Sequence, residues 1–324
     1  MRILLTTTSY QDTPGKHHDL LNDSGFEVIR DRGPLTEGRM LELIDEHSGF
    51  DGLLNGDDAI TAKVIDAALA ADTPLKVIAK YGIGLDSIDV AHATAKKVPV
   101  LFTPGVNHTT VAEHTIGLMI AVSKHFYLHA SKVKAGQWKR QTGRELAGKA
   151  LGVLGMGRIG KEVIKRAAAF GMRAVAFDVY WDESFAAEYQ VQKAASMEQV
   201  LELADVISLH MPATDETRQW LNADRLAMCR DGAIVVNTAR GTLIDEHAVA
   251  EACRSGKLYG YGCDVLAEEP MIDGHPFQRI DNIIVTPHVG SRTYESVERQ
   301  AMRATANIIN YLTGGEDYIQ ANEF

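Results

Sequence analysis

Cysteine is scarce in this sequence: only Cys229, Cys253 and Cys263 occur among 324 residues. They show no metal-type spacing and, being odd in number, cannot all pair. A disulfide framework is therefore excluded, and a reducing cytosol is the expected setting. Long apolar runs are also missing, since none approaches the ~20 residues that a spanning helix needs. The N-terminal stretch MRILLTTTSY has one charged side chain and three consecutive strongly apolar residues. It reads as a first strand and not as a signal peptide. Nor is there an excess of positive charge: 33 Lys and Arg against 43 Asp and Glu give a net charge of −10. That balance disfavours nonspecific binding to nucleic acid or an anionic membrane, but leaves room for a small anionic substrate in a local basic pocket. No repeat, low-complexity tract or long linker appears. With 45% hydrophobic and 23% charged residues, the composition is that of a soluble globular protein, long enough for two domains.

What is present is an alternation of short apolar runs and helical patterns. Strands are predicted at 3–7, 27–30, 52–54, 76–79 and 98–102, with helices around 17–24, 38–47, 62–70 and 87–96. Such alternation predicts a parallel sheet covered on both faces. Thr103-Pro104-Gly105 is a turn and a plausible hinge. A single long helix is predicted from Thr110 to about Lys134, then a loop with Gly136, Trp138 and Gly143. A second alternating set follows, with strands at 151–154, 173–177, 205–210, 233–237, 259–265 and 282–286. The last helical pattern, 291–312, has no strand left to pair with and is expected to return to the first domain. The expected fold is α/β, with two doubly wound parallel-sheet domains. One domain comprises 1–103 and 291–324, the other is an insertion over 104–290, and a cleft lies between them.

The second set opens on the strand Leu151–Leu154, followed by Gly155, Gly157 and Gly160 in the spacing G-x-G-x-x-G. Gly155 permits a tight turn, Gly157 lets backbone approach a pyrophosphate, and Gly160 lets a helix pack close to the strand. Arg158 and Ile159 fall in the first turn of that helix, whose unpaired N–H groups and partial positive charge suit phosphates. Asp178 ends the next strand, eighteen residues beyond Gly160, where a carboxylate can accept hydrogen bonds from a ribose. Its charge would repel a 2′-phosphate, and Val179-Tyr180-Trp181 supplies no Arg or Lys to accept one. The expected cofactor is NAD.

Further motifs stand near the ends of the later strands: Arg240 in Asn237-Thr238-Ala239-Arg240-Gly241, Asp264 in Gly262-Cys263-Asp264-Val265, Glu269 in Glu268-Glu269-Pro270 and His288 in Thr286-Pro287-His288. Taken singly, these read as a surface salt bridge, a turn cap, a solvated acidic loop and a turn residue. Together with Gly82-x-Gly84-x-Asp86, Val111-Ala112-Glu113-His114, Leu146-Ala147-Gly148-Lys149 and His210-x-Pro212, they resemble the D-isomer-specific 2-hydroxyacid dehydrogenase family over nearly the whole chain. The resemblance implies a Rossmann NAD domain inserted in a discontinuous, flavodoxin-like substrate domain. It implies His288 as acid/base, Glu269 as the partner of its other ring nitrogen, and Arg240 as a clamp on the substrate carboxylate. Backbone N–H groups of Gly82, Ile83 and Gly84 would complete the carboxylate pocket. His210, Pro212 and Thr238 would lie along the cofactor, and Asp264 would face its nicotinamide end. Formate dehydrogenases share the fold but lack the glutamate partner, so Glu269 points to a hydroxy acid. The family also implies a homodimer, embraced by the helix from Thr110 and the loop bearing Trp138.

The substrate turns on Lys80 and Arg292, which flank the presumed pocket. If both reach inward, a second anionic group is expected, as in 3-phosphoglycerate. If neither does, a small acid such as glycerate, with hydroxypyruvate as its oxo form, is expected. The end at residue 324 leaves out the regulatory extension of many phosphoglycerate dehydrogenases, so amino-acid feedback is not expected. An alternative of another class is an NAD-sensing dimeric corepressor. His125 and His129 share a helix face at i, i+4 without a third ligand and read as surface or interface residues, and His17-His18 reads as a solvated turn.

Overall fold

Buried parallel strands read as short apolar runs because both faces are covered, and the first such run, Arg2–Leu5 (β1), illustrates this. The computed structural model describes residues 1–324. The chain divides into two compact units, Met1–Asn107 with Arg292–Phe324, and His108–Ser291.

In the first unit β1 is followed by α1 (Thr8–Asp12), α2 (Lys16–Asp23), β2 (Glu27–Arg30), α3 (Glu37–Glu46), β3 (Gly52–Asn55), α4 (Ala62–Ala70), β4 (Val77–Lys80), α5 (Val90–Ala95) and β5 (Val100–Leu101). The strands form one parallel sheet in the order β2-β1-β3-β4-β5, as in flavodoxin-like folds. Alternation along β1 sorts the side chains between two cores. Ile3 and Leu5 pack with Leu21 of α2 and with Ala301, Ala304 and Ile308 of the C-terminal helix, Tyr294–Thr313. Leu4 packs on the other face with Met40, Val64 and Ile65 of α3 and α4. The C-terminal helix thus closes this sheet, capped by Thr293 at its start and stopped by Gly314 in the left-handed conformation. His17, expected in a solvated turn, is fully buried in α2. Its Nε2 lies 3.0 Å from the Tyr10 carbonyl oxygen, while the Tyr10 hydroxyl donates to the His17 carbonyl at 3.0 Å. The pair satisfies Nε2 and the main-chain carbonyl, while Nδ1 is buried without a hydrogen-bond partner.

The second unit begins with α6 (His108–Ser123) and α7 (Phe126–Lys134), where one long helix was expected. Neither Gly nor Pro marks the break. His125 adopts φ 52°, and its Nε2 lies 2.6 Å from the Tyr259 hydroxyl. Arg144 donates its N–H to the Ser123 carbonyl at 2.8 Å and lays its guanidinium 4.2 Å from the Tyr259 ring centroid. Long-range contacts therefore take over the backbone groups that a continuing helix would use. Then follow β6 (Ala150–Leu154), α8 (Arg158–Ala169), β7 (Arg173–Phe177), α9 (Glu183–Glu188), β8 (Gln192–Lys193), α10 (Met197–Leu203), β9 (Val206–Leu209), α11 (Ala223–Met228), β10 (Ala233–Asn237), α12 (Glu246–Arg254), β11 (Leu258–Cys263) and β12 (Ile283–Val285). The sheet order is β12-β11-β10-β9-β6-β7-β8, all parallel. That is the Rossmann order with a seventh strand, and its direction reverses between β6 and β9. β8, two exposed polar residues at the edge, carries no apolar signal and was not expected. Leu151, Val153, Val206, Ile234 and Val236 pack against α6 and α8, while Leu154, Ile207, Leu209 and Val235 face α10, α11 and α12.

Candidate active site

In an open parallel sheet, ligands bind beyond the carboxyl ends of the strands near the switch point, because helix N-termini and loops converge there. In the second unit that edge carries Gly155 after β6, His210 after β9, Arg240 after β10, Asp264 and Glu269 after β11, and His288 after β12.

Gly155 has φ +98°, and a Cβ there would stand 2.7 Å from the His210 carbonyl carbon and oxygen, so the turn between the two central strands admits only glycine. A Cβ on Gly160 would overlap the Gly155 carbonyl oxygen, which fixes how closely α8 approaches β6. Gly157 caps α8, and a Cβ there would meet nothing within 4 Å. The loop is open at that residue and ends on a helix N-terminus, with Arg158 and Ile159 in the first turn. Asp178 leaves β7 with its Oδ2 accepting from Met156 N–H at 2.5 Å and its Oδ1 from Tyr180 N–H at 2.8 Å. This tight loop, with an open glycine and a carboxylate at its side, fits a dinucleotide. His210 places Nε2 2.8 Å from Ser208 Oγ, while its Nδ1 is buried without a protein partner. Burial alone pushes its pKa down to about 3, so the ring is neutral. Thr217 Oγ1 donates to the Pro212 carbonyl at 2.8 Å, and Thr238 Oγ1 lies 2.8 Å from Thr115 Oγ1 of α6.

His288 and Glu269 come together: Nδ1 of the ring lies 2.9 Å from Glu269 Oε2. The other oxygen, Oε1, accepts from Leu266 N–H at 3.0 Å. His288 has φ 50°, and its N–H donates to the Asp264 carbonyl at 2.9 Å. The Asp264 side chain is 4% exposed. It accepts from Thr286 Oγ1 at 2.6 Å, Val289 N–H at 2.9 Å and Gly290 N–H at 2.7 Å, with His114 Nε2 at 3.4 Å. Burial raises its pKa, but His114, Thr286 and the two amides together outweigh that and hold the carboxyl below its ordinary range. Asp264 thus folds the turn that carries His288, which is the turn-cap role its position at a strand end also offered. Its helpers Thr286 and His114 stood inside quoted motifs, but no spacing rule marks such contacts. Arg240 is half-buried and starts a short 3-10 turn. Its carbonyl accepts from Asn237 Nδ2 at 2.9 Å, and its Nη1 donates to the Ala239 carbonyl at 2.7 Å.

In the first unit Lys80 ends β4 and is 3% exposed; its ammonium donates to Asp57 Oδ1 at 2.6 Å and to the Gly56 carbonyl at 2.5 Å. Gly82 donates its N–H to Thr103 Oγ1 at 3.0 Å, with exposed Ile83 and half-buried Gly84 after it. Arg292 is exposed, with Nη2 3.4 Å from Thr8 Oγ1. No helix of the chain is long and apolar enough to cross a membrane.

A Rossmann sheet with a glycine turn, a carboxylate at the end of the next strand and a paired histidine fits the class of nicotinamide-dependent oxidoreductases. Residues 116–290 match the model of the D-isomer specific 2-hydroxyacid dehydrogenase NAD binding domain. A hydroxypyruvate reductase of Thermotoga maritima is 39% identical over 298 residues, 90% of this chain and 93% of the relative. A D-3-phosphoglycerate dehydrogenase of Methanocaldococcus jannaschii is 37% identical over 92% of this chain but only 57% of its own length. The crystal structure of the TT0316 protein from Thermus thermophilus superposes with a TM-score of 0.89 at 38% identity, covering 99% of this chain and 100% of that one. The chain belongs to the D-isomer specific 2-hydroxyacid dehydrogenase family and is an NAD-dependent oxidoreductase. The comparisons give the corepressor alternative no support.

Proposed function

We propose that His288 is the acid/base of this dehydrogenase, that Glu269 orients and charges it, and that Arg240 clamps the carboxylate of a small, unphosphorylated 2-oxo or 2-hydroxy acid. Hydroxypyruvate and glycerate are the favoured pair. The observation that carries the proton relay is the 2.9 Å contact between His288 Nδ1 and Glu269 Oε2. Nδ1 faces the carboxylate, and Nε2 is proposed to exchange the proton with substrate. NAD supplies the hydride acceptor, and NADH the donor, when bound. In reduction His288 gives the Nε2 proton to the carbonyl oxygen; in oxidation the neutral ring takes it from the hydroxyl. An ionised Glu269 stabilises the protonated ring and so favours reduction. Arg240 matches a carboxylate with its planar fork and fixes which face of the carbonyl is presented. Asp264, with both oxygens spent on the 286–290 turn, sets where the His288 ring stands.

Lys80 supports the choice of a small acid. Its ammonium is sequestered by Asp57 and the Gly56 carbonyl and is 3% exposed, so it offers no charge to a phosphate. The Thermotoga relative bears the name of a hydroxypyruvate reductase, which agrees.

The test is NADH oxidation followed at 340 nm with hydroxypyruvate, glyoxylate, pyruvate and phosphohydroxypyruvate, each at several pH values. Hydroxypyruvate is expected to give the highest kcat/KM. Preference for phosphohydroxypyruvate, lost when Lys80 and Arg292 are both replaced by Met, would establish the second-anion reading. Glu269→Gln is expected to end reduction at a lower pH than in the unaltered enzyme, and to let oxidation reach its plateau at a lower pH. An unmoved reduction profile would remove Glu269 from the relay.

We also propose a cytosolic homodimer. Phe126, Tyr127, Val133 and Trp138 are 56%, 63%, 48% and 77% exposed on α7 and the segment after it, an apolar surface that a second copy would cover. Sedimentation velocity decides between dimer and monomer.

A further inference from the structure

The loop that carries Glu269 is held from behind by a second carboxylate. Glu246, the first residue of α12, accepts from Ala267 N–H through Oε1 at 2.9 Å. Its Oε2 lies 3.1 Å from Nε2 of His275. Nδ1 of His275 accepts from Phe277 N–H at 3.2 Å, so the proton sits on Nε2 and is donated to Glu246. Side-chain exposure is only 15% for Glu246 and 6% for His275. The His275 ring meets Phe277 edge-on at 4.9 Å, and Phe277 lies 5.5 Å from the fully buried Tyr261 of β11. The chain from Ala267 to the sheet core is therefore continuous.

Leu266 and Ala267 are the hinge of this arrangement. Their successive N–H groups are bound by two different carboxylates, Glu269 for Leu266 and Glu246 for Ala267. The peptide that joins them rests on Gly241, where any Cβ would overlap Leu266 C, Leu266 O and Ala267 N. Gly241 directly follows Arg240. The Glu269 loop is thus pressed on the residue next to the proposed carboxylate clamp, and Glu246 sets its height there.

We infer that Glu246, oriented by His275, is a positioning residue that keeps the Glu269 carboxylate opposite the His288 ring. This rests on the reading of Glu269 and His288 as the proton relay. Without Glu246 the exposed Ala267 N–H turns to water, and the loop loses its tether to the start of α12. Glu269 then departs from Nδ1, the protonated ring loses its nearby charge, and the reaction is affected through the proton step and not through the carboxylate clamp.

The test measures the pH dependence of kcat and kcat/KM for hydroxypyruvate reduction in Glu246→Ala, Glu246→Gln, Glu269→Gln and the double variant Glu246→Ala/Glu269→Gln. Glu246→Ala is expected to lower kcat by about ten- to a hundredfold, as misplacement of a reacting group by about 1 Å does. KM should change little, and the pH at which reduction is lost should drop by about half a unit or more, in the same direction as in Glu269→Gln. Glu246→Gln keeps the length but sets an amide N–H against the His275 N–H unless it gives up Ala267, so it should show a smaller shift of the same sign. In the double variant Glu246→Ala should add no further shift, because its effect passes through Glu269. If Glu246→Ala is too unstable to assay, Glu246→Gln decides. A profile that stays in place for both Glu246 variants while Glu269→Gln moves it overturns the inference and leaves the relay intact. Additive shifts in the double variant overturn it as well. If Glu269→Gln itself moves nothing, the relay reading is the one that fails.

Discussion

The carboxylate of Asp178 and the backbone of Met156 meet at 2.5 Å, which ties the end of β7 to the glycine turn after β6. The side chain that would meet the ribose therefore also shapes the loop that would meet the phosphates. NAD should be strongly preferred to NADP, and Asp178→Ala should erode that preference while weakening NAD itself. The ratio of kcat/KM for the two cofactors, measured before and after the substitution, checks this. Equal efficiencies in the unaltered enzyme would remove Asp178 from the ribose.

Arg240→Lys keeps the charge but gives up the planar fork. Catalytic efficiency toward the oxo acid should fall by roughly ten- to a thousandfold, about 1.4–4 kcal/mol of transition-state binding. NADH affinity, followed by fluorescence titration, should barely change. Near-normal efficiency would place Arg240 outside the site.

Gly160→Ala tests the helix approach. The added methyl would overlap the Gly155 carbonyl oxygen, and that oxygen belongs to backbone that cannot step aside cheaply. Displacing α8 should destabilise the fold by about 1–3 kcal/mol, the usual cost of overpacking. NAD affinity should fall with it, read by calorimetric titration. An unchanged melting temperature together with unchanged affinity would show that α8 does not need this contact.

His210 should impose a pH dependence on stability. In the folded chain burial pushes its pKa down to about 3, while in the unfolded chain it is about 6.5. Between those values the unfolded state binds the extra proton, so stability is complete above about pH 6.5 and declines as pH falls toward 3. One such group gives a slope of at most about 1.4 kcal/mol per pH unit. Urea unfolding of the cofactor-free protein from pH 7 down to pH 4 should show a shallower decline for His210→Asn than for the unaltered chain. Parallel declines would mean that the ring is protonated in the folded state.

Much of the fold is legible because local chemistry decides it. The alternation of apolar runs and amphipathic segments specifies parallel sheets covered on both faces, and most strand positions in the sequence lie within two or three residues of those found. Gly155, Gly157 and Gly160 are readable because the turn and the close approach they permit depend on residues a few positions apart. The candidate site is partly legible for the same reason. In a parallel sheet the carboxyl ends share one edge, so Arg240, Glu269 and His288 could be grouped from their positions after three strands. The contact of Glu269 with His288 came from the family resemblance and not from spacing, and the two groups stand 2.9 Å apart.

Wherever the outcome depends on partners distant in sequence, tertiary structure decides. The helix from Thr110 breaks before Phe126 because Tyr259 and Arg144, far along the chain, take its polar groups. His17 is buried where the fold sets the Tyr10 carbonyl against its Nε2. β8 exists as a strand only because β7 offers it an edge. Lys80 was a cation of unknown address until the fold turned it toward Asp57 and Gly56. Asp264 could be a turn cap or a neighbour of the nicotinamide by its position, and the fold surrounded it with Thr286, Val289, Gly290 and His114. Sequence by itself determined which residue types stand at the ends of the strands, since periodicity and turn chemistry are local. Which of those groups are spent on each other was settled only by burial and hydrogen bonding across the folded chain, where an unpaired buried polar group is too costly to leave.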